Sequence, residues 1–137
     1  MPNERKFWRA IVQWWPSILM MAAIFGLSSQ PAAALPDLGW ADTLVKKGGH
    51  VLGYAALAVS YWGALGWKPR SAWPAFALAV AYGLTDEFHQ LHVAGRQSSI
   101  ADVVLFDAPG AVMGLLLVRH IGRRRLTEAT HPNARVG

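Results

Sequence analysis

Apolar residues in this chain gather into four long runs, at about 11–27, 48–67, 72–91 and 100–118, separated by short polar stretches. Each run is close to the ~20 residues a helix needs to cross a bilayer. The third carries a complication. Its strictly apolar part, 72–84, is too short: as a helix those residues rise ~20 Å against a hydrocarbon core of ~30 Å. To span, that helix must carry Asp86-Glu87-Phe88-His89-Gln90 into the far leaflet. Ionisable groups at membrane depth cost ~2.5–3.5 kcal/mol each on insertion scales and usually mark a site with named partners.

The first run contains Pro16, tolerable in a membrane helix where neighbouring groups satisfy the freed carbonyl. A basic start, an apolar stretch and Ala32-Ala33-Ala34 also resemble a cleavable secretory signal. The stretch exceeds the ~7–15 apolar residues of such signals, which favours a retained helix. Residues 28–46 form a loop, Lys68-Pro69-Arg70 a tight turn, and 95–99 a second short loop. Residues 1–120 therefore read as one four-helix membrane domain, and 121–137 as a polar, mobile cytoplasmic tail.

A net charge of +5 and a pI near 10.1 would suggest nucleic acid in a soluble protein. Here the cations flank the apolar runs, as orientation signals do: Arg5, Lys6 and Arg9 before the first, Arg119 and Arg123 to Arg125 after the last. No nucleic-acid partner is expected. Ten Lys and Arg lie on the side of the termini and the 67–72 turn, and three (Lys46, Lys47, Arg96) on the other. That bias places both termini in the cytoplasm of a multi-pass membrane protein, with the other two loops facing outward. The seven Trp mostly fall near interfaces and read as an aromatic belt. The chain lacks cysteine, so it has neither a disulfide framework nor a thiolate nucleophile.

With this topology the outer ends of three spans hold nearly all the polar side chains of the membrane segments. Lys47, His50 and Tyr54 share one face of the second span. Asp86 and Gln90 share a face of the third, with Glu87 about 100° away. Arg96 follows in the loop, and Asp102 enters the fourth span. Buried carboxylates persist when cations and hydrogen-bond donors surround them, so these groups are expected to form one cluster, with Lys47 rather than Lys46 as its lysine.

The ordered set Lys47-x-x-His50-x-x-x-Tyr54, Asp86-Glu87-x-His89-Gln90 and Gly95-Arg96-x-x-Ser99-x-x-Asp102 resembles the VanZ-like family of small integral membrane proteins. The resemblance covers about 47–114 and implies a compact all-α, four-helix membrane bundle. It also implies a link to teicoplanin-type glycopeptide resistance, without naming a substrate. Two positions depart from the family pattern. Ala94 stands where the family has a proline, and Phe106 stands where it has an Asn or Asp four residues after Asp102. Asp107 comes one residue later. Either the fourth span contains a bulge between Asp102 and Asp107, or Asp107 turns to another face.

Simpler readings stand beside these. Lys47 and Arg96 would serve equally as interfacial anchors, and Asp86 and Glu87 as a structural ion-pair network. His89 and His92 have metal-ligand spacing, but Lys47 and Arg96 nearby would oppose a cation, so neither a metal nor another cofactor is expected. Gly110-x-x-x-Gly114 signals close helix packing. Two functional classes remain. In the first, Lys47, His50, Tyr54, Asp86, Glu87, Gln90, Arg96 and Asp102 bind the headgroup of a membrane lipid or lipid-linked cell-wall precursor. In the second, Asp86, Glu87 and His50 act as acid and base of a membrane-embedded hydrolase or transferase on such a headgroup. No nucleophile motif marks the second, so whether the protein is an enzyme stays open.

Overall fold

The structure, a computed structural model, describes residues 2–34, 39–96 and 98–130, and in these it is all-α with no strand. Helix α1 is Pro2–Ser28, α2 is Asp42–Ala64 and α3 is Ala72–Gln90. The fourth segment starts as Ile100–Asp102, passes through a π-helical turn at Val103–Asp107 and continues as Ala108–Thr130. We treat it as one helix, α4.

All four apolar runs are helical. The helix bounds differ from the expected spans: α1 begins at Pro2, α2 begins at Asp42 inside the expected loop and stops at Ala64 short of 67, and α4 continues to Thr130, where a polar tail was expected from 121. A helix need not stop where hydropathy does, because its backbone hydrogen bonds do not depend on whether the side chains are apolar. The remainder of that tail, 131–137, and the centre of the first loop, 35–38, lie outside the described residues.

Helix α2 is central and contacts each of the other three. Its face Tyr54, Leu57, Ala58, Tyr61 and Trp62 forms the core with Ile24 of α1, Ala75 and Ala79 of α3, and Ala111 and Leu115 of α4. Gly110 and Gly114 bring α4 directly onto α2. A Cβ on Gly114 would lie 2.6 Å from the Ala55 carbonyl oxygen, and one on Gly110 would collide with the Val51 backbone. The glycine pair therefore serves packing within the chain, the small-residue contact of membrane helices. The register 51/110 and 55/114 also makes α2 and α4 parallel, as alternating up and down helices require.

Side chains tie the helices where they cross. Gln13 donates to the Ala64 carbonyl at 2.6 Å, and the Tyr82 hydroxyl donates to the Met21 carbonyl at 2.7 Å. The outward faces are strongly apolar: Phe7, Val12, Leu19, Leu52, Trp73, Phe88 and Leu116 are all exposed. Contiguous exposure of this kind suits a lipid surround and would be a liability in water. Phe7–Ser28 and Ile100–Arg125 are each long and apolar enough to cross a membrane.

Candidate functional site

The polar side chains converge at the end of the bundle where α1 and α3 finish and α2 and α4 begin. Asp86, Glu87, Gln90 and Asp107 are only 1–4% exposed. They sit at the end of a stripe of small residues on α3, Ala75, Ala79 and Gly83, which lets that helix lie close against α2 and α4.

Asp86 is held by hydrogen-bond donors. The Ser28 hydroxyl donates to its Oδ2 at 2.8 Å, and the Gln90 amide donates to the same oxygen at 3.0 Å. Its Oδ1 is buried with no hydrogen-bond partner. Glu87, one residue on and facing another way, receives the Ser99 backbone N–H on Oε2 at 2.6 Å, while the Ser98 hydroxyl donates to the Glu87 carbonyl. The loop before α4 is thereby closed onto the end of α3. Gly95 lies at φ +73°, which a glycine adopts without strain.

Lys47 donates to Asp102 Oδ1 at 2.8 Å, and its ammonium lies 4.1 Å from the centre of the Phe106 ring. Phe106, the residue at the family's Asn/Asp position, thus supplies a cation–π face to this lysine. Arg96 reaches in the other direction. Its Nη2 donates to the Leu27 carbonyl at 2.6 Å and its Nε to the Gln30 carbonyl at 3.0 Å, which ties the loop to carbonyls at and just beyond the end of α1.

The π turn places Asp107. Ala108 N–H bonds the Val103 carbonyl, five residues back instead of four. One turn after Asp102 therefore falls on residue 107 and not on 106, which is the bulge alternative left open by the sequence. Asp107 turns inward, and its Oδ1 lies 3.0 Å from His50 Nδ1. The contacts 47/102 and 50/107 continue the parallel register of α2 and α4. Gly83 clears the space: a Cβ there would stand 3.2 Å from Asp107 Oδ2 and 3.4 Å from the Tyr54 ring. Asp107 Oδ2 and the Tyr54 hydroxyl are both buried without a hydrogen-bond partner. His50 and Tyr54 stack with ring centres 6.1 Å apart. Single-turn π bulges recur at functional sites in other helices.

Beside this cluster lies a pocket of about 250 Å³ between α1 and α2. Ile24, Leu27 and Val45 give it an apolar wall, and Ser28, Lys46, His50, Tyr54 and Arg96 a polar one. Of the residues expected to bind a ligand, His50, Tyr54 and Arg96 line it directly. Asp86, Glu87, Gln90 and Asp107 lie in the buried cluster, and Lys47 with Asp102 forms a separate pair. His89 and His92 point apart: one bonds Ser29 and stacks on Phe25, the other bonds the Phe88 carbonyl.

Three contributors escaped sequence reasoning. Ser28 was unremarkable at the end of an apolar run, although the topology puts it at the same end of the bundle as the others. Lys46 was set aside for its neighbour. Gly83 contributes only the absence of a side chain.

A sequence model of a family described as VanZ/LLP1 matches residues 8–122, most of the chain. Among curated proteins and among solved structures, nothing matches.

Proposed function

The chain belongs to the VanZ/LLP1 family, and from that premise we propose that it is an inner-membrane protein whose pocket binds an anionic lipid headgroup on the outer face. The observation that carries this reading is the two-sided lining of the pocket. An acyl chain suits Ile24, Leu27 and Val45, while Lys46, His50 and Arg96 suit a phosphate or carboxylate, with Ser28 and Tyr54 available to hydroxyls. The volume is that of about eight water molecules at ~30 Å³ each, which favours a small headgroup such as a phosphate or phosphoglycerol. A disaccharide-peptide would have to extend outside it. The charge bias of the loops supports a topology with both termini in the cytoplasm and this pocket outside, where a family linked to glycopeptide resistance would meet envelope lipids.

A second reading, catalysis on the headgroup, draws on one observation: the His50–Asp107 pair borders the pocket as a base with its orienting carboxylate. Mass spectrometry of lipids separates the two, comparing whole cells and purified protein for wild type and His50→Gln. A change in the cellular lipid pool that His50→Gln abolishes supports catalysis. An unchanged pool with one anionic lipid co-purifying supports binding. No change in the pool and no retained lipid overturns both.

A further inference from the structure

We propose that His50, Glu87 and Asp107 form a binding site for a divalent transition-metal ion, independently of whether a headgroup occupies the pocket. The three side chains come from three helices, and each offers a donor atom within 4.8 Å of the other two. The sequence argued against a cation because Lys47 and Arg96 would stand against it. In the structure neither cation bonds to the three donors: Lys47 pairs with Asp102, and Arg96 bonds the carbonyls of Leu27 and Gln30.

The second observation is the set of orphaned oxygens. Asp107 is 1% exposed and its Oδ2 has no hydrogen-bond partner; the neighbouring Asp86 Oδ1 and Tyr54 hydroxyl, equally buried, also have none. Buried acceptors without donors are costly, ~1–3 kcal/mol or more for charged groups, and they are rare enough to need an explanation. A cation held by Asp107 supplies it for that residue's Oδ2. Two carboxylates and one neutral imidazole around a divalent ion make a neutral assembly, which a membrane interior tolerates where two bare carboxylates would not.

The donor set narrows the ion. An imidazole with two carboxylates suits zinc or manganese better than magnesium or calcium, which prefer all-oxygen surroundings. Metal–ligand distances of ~2.1 Å would draw the donors to within about 3.4 Å of each other, a contraction of side chains without movement of helices. With three protein ligands, coordination positions remain for water.

The test uses the full chain in detergent, stripped with EDTA and titrated with zinc or manganese chloride by calorimetry, followed by X-ray absorption of the loaded wild type. The expected result is one equivalent bound, with one imidazole and two carboxylate ligands in the first coordination sphere. His50→Gln and Asp107→Asn should each lose at least tenfold in affinity, while His92→Ala and Asp102→Asn retain it. Absence of stoichiometric binding by wild type overturns the proposal. So does a loaded site with two or more imidazoles, which would place the ion on exposed histidines. The wild-type measurements decide even where a variant fails to fold.

Discussion

Asp107 Oδ1 lies 3.0 Å from His50 Nδ1 because α4 makes one turn of π-helix, Val103–Asp107, that no other described helix makes. The turn converts a five-residue spacing from Asp102 into a shared helix face. Deleting Leu105, an exposed residue within the turn, should restore an ordinary α-helix while returning the aspartate to that face. The deletion is expected to leave a well-folded protein that still retains its lipid. Inserting an alanine after Leu105 should displace the aspartate by about 100° and abolish retention. Extraction yield, thermal unfolding and lipid content of the two variants check this.

Gly83 and Gly114 should respond to alanine, and Gly122 should not. A Cβ at Gly114 meets the Ala55 backbone at 2.6 Å and one at Gly83 meets Asp107 at 3.2 Å, while nothing lies within 4 Å at Gly122. Overpacking of ~1–3 kcal/mol is expected for Gly114→Ala and the lower part of that range for Gly83→Ala. Gly122→Ala should be neutral or slightly stabilising in the helix. Unfolding in a fixed detergent ranks the three.

Lys46 and Lys47 are neighbours with different surroundings, so their alanine variants should part. Lys46 lines the pocket, and Lys46→Ala should weaken retention of an anionic lipid severalfold. Lys47 pairs with Asp102, both about one-third exposed, so Lys47→Ala should cost only ~0.2–1 kcal/mol of stability. Exchanging the pair, Lys47→Asp with Asp102→Lys, should recover most of that loss. Equal effects of both lysines on lipid retention would count against the pocket as the binding site.

His50 and Asp107 should not tolerate such an exchange. Asp107→Ala removes the acceptor of a buried bond and is expected to destabilise by about 1–3 kcal/mol. Swapping the two residues should fail to restore lipid retention, because the histidine faces the pocket and the aspartate does not. Recovery of retention by the swap would mean that the pair serves only to join α2 and α4.

Four helices were legible from hydropathy because each leaves a long run of apolar residues bounded by polar stretches. The polar cluster was legible from cost: Asp86 and Glu87 in an apolar run demanded partners, and the helix order limited where those could be. The partners themselves were not legible. Whether Arg96 meets a carboxylate or the carbonyls of Leu27 and Gln30 depends on where α1 ends, which no pattern within 95–102 records. The choice between Lys46 and Lys47 is a 100° rotation about α2, fixed by packing on α4. The π turn was visible only as a one-residue misfit between Asp102 and Asp107, with two explanations that sequence alone left equal.

The central claim, that the pocket holds an anionic headgroup, is tested most directly by filling it. Gly49 lines the pocket and a Cβ there meets nothing within 4 Å, so Gly49→Leu should fold normally and occupy the space. The measurement is binding of short-chain phosphatidylglycerol against short-chain phosphatidylcholine to detergent-purified wild type and Gly49→Leu. We predict that wild type prefers the anionic lipid and that Gly49→Leu loses at least tenfold in affinity for it, ~1.4 kcal/mol. Equal binding by a folded Gly49→Leu, or no preference for the anionic lipid by wild type, would contradict the account.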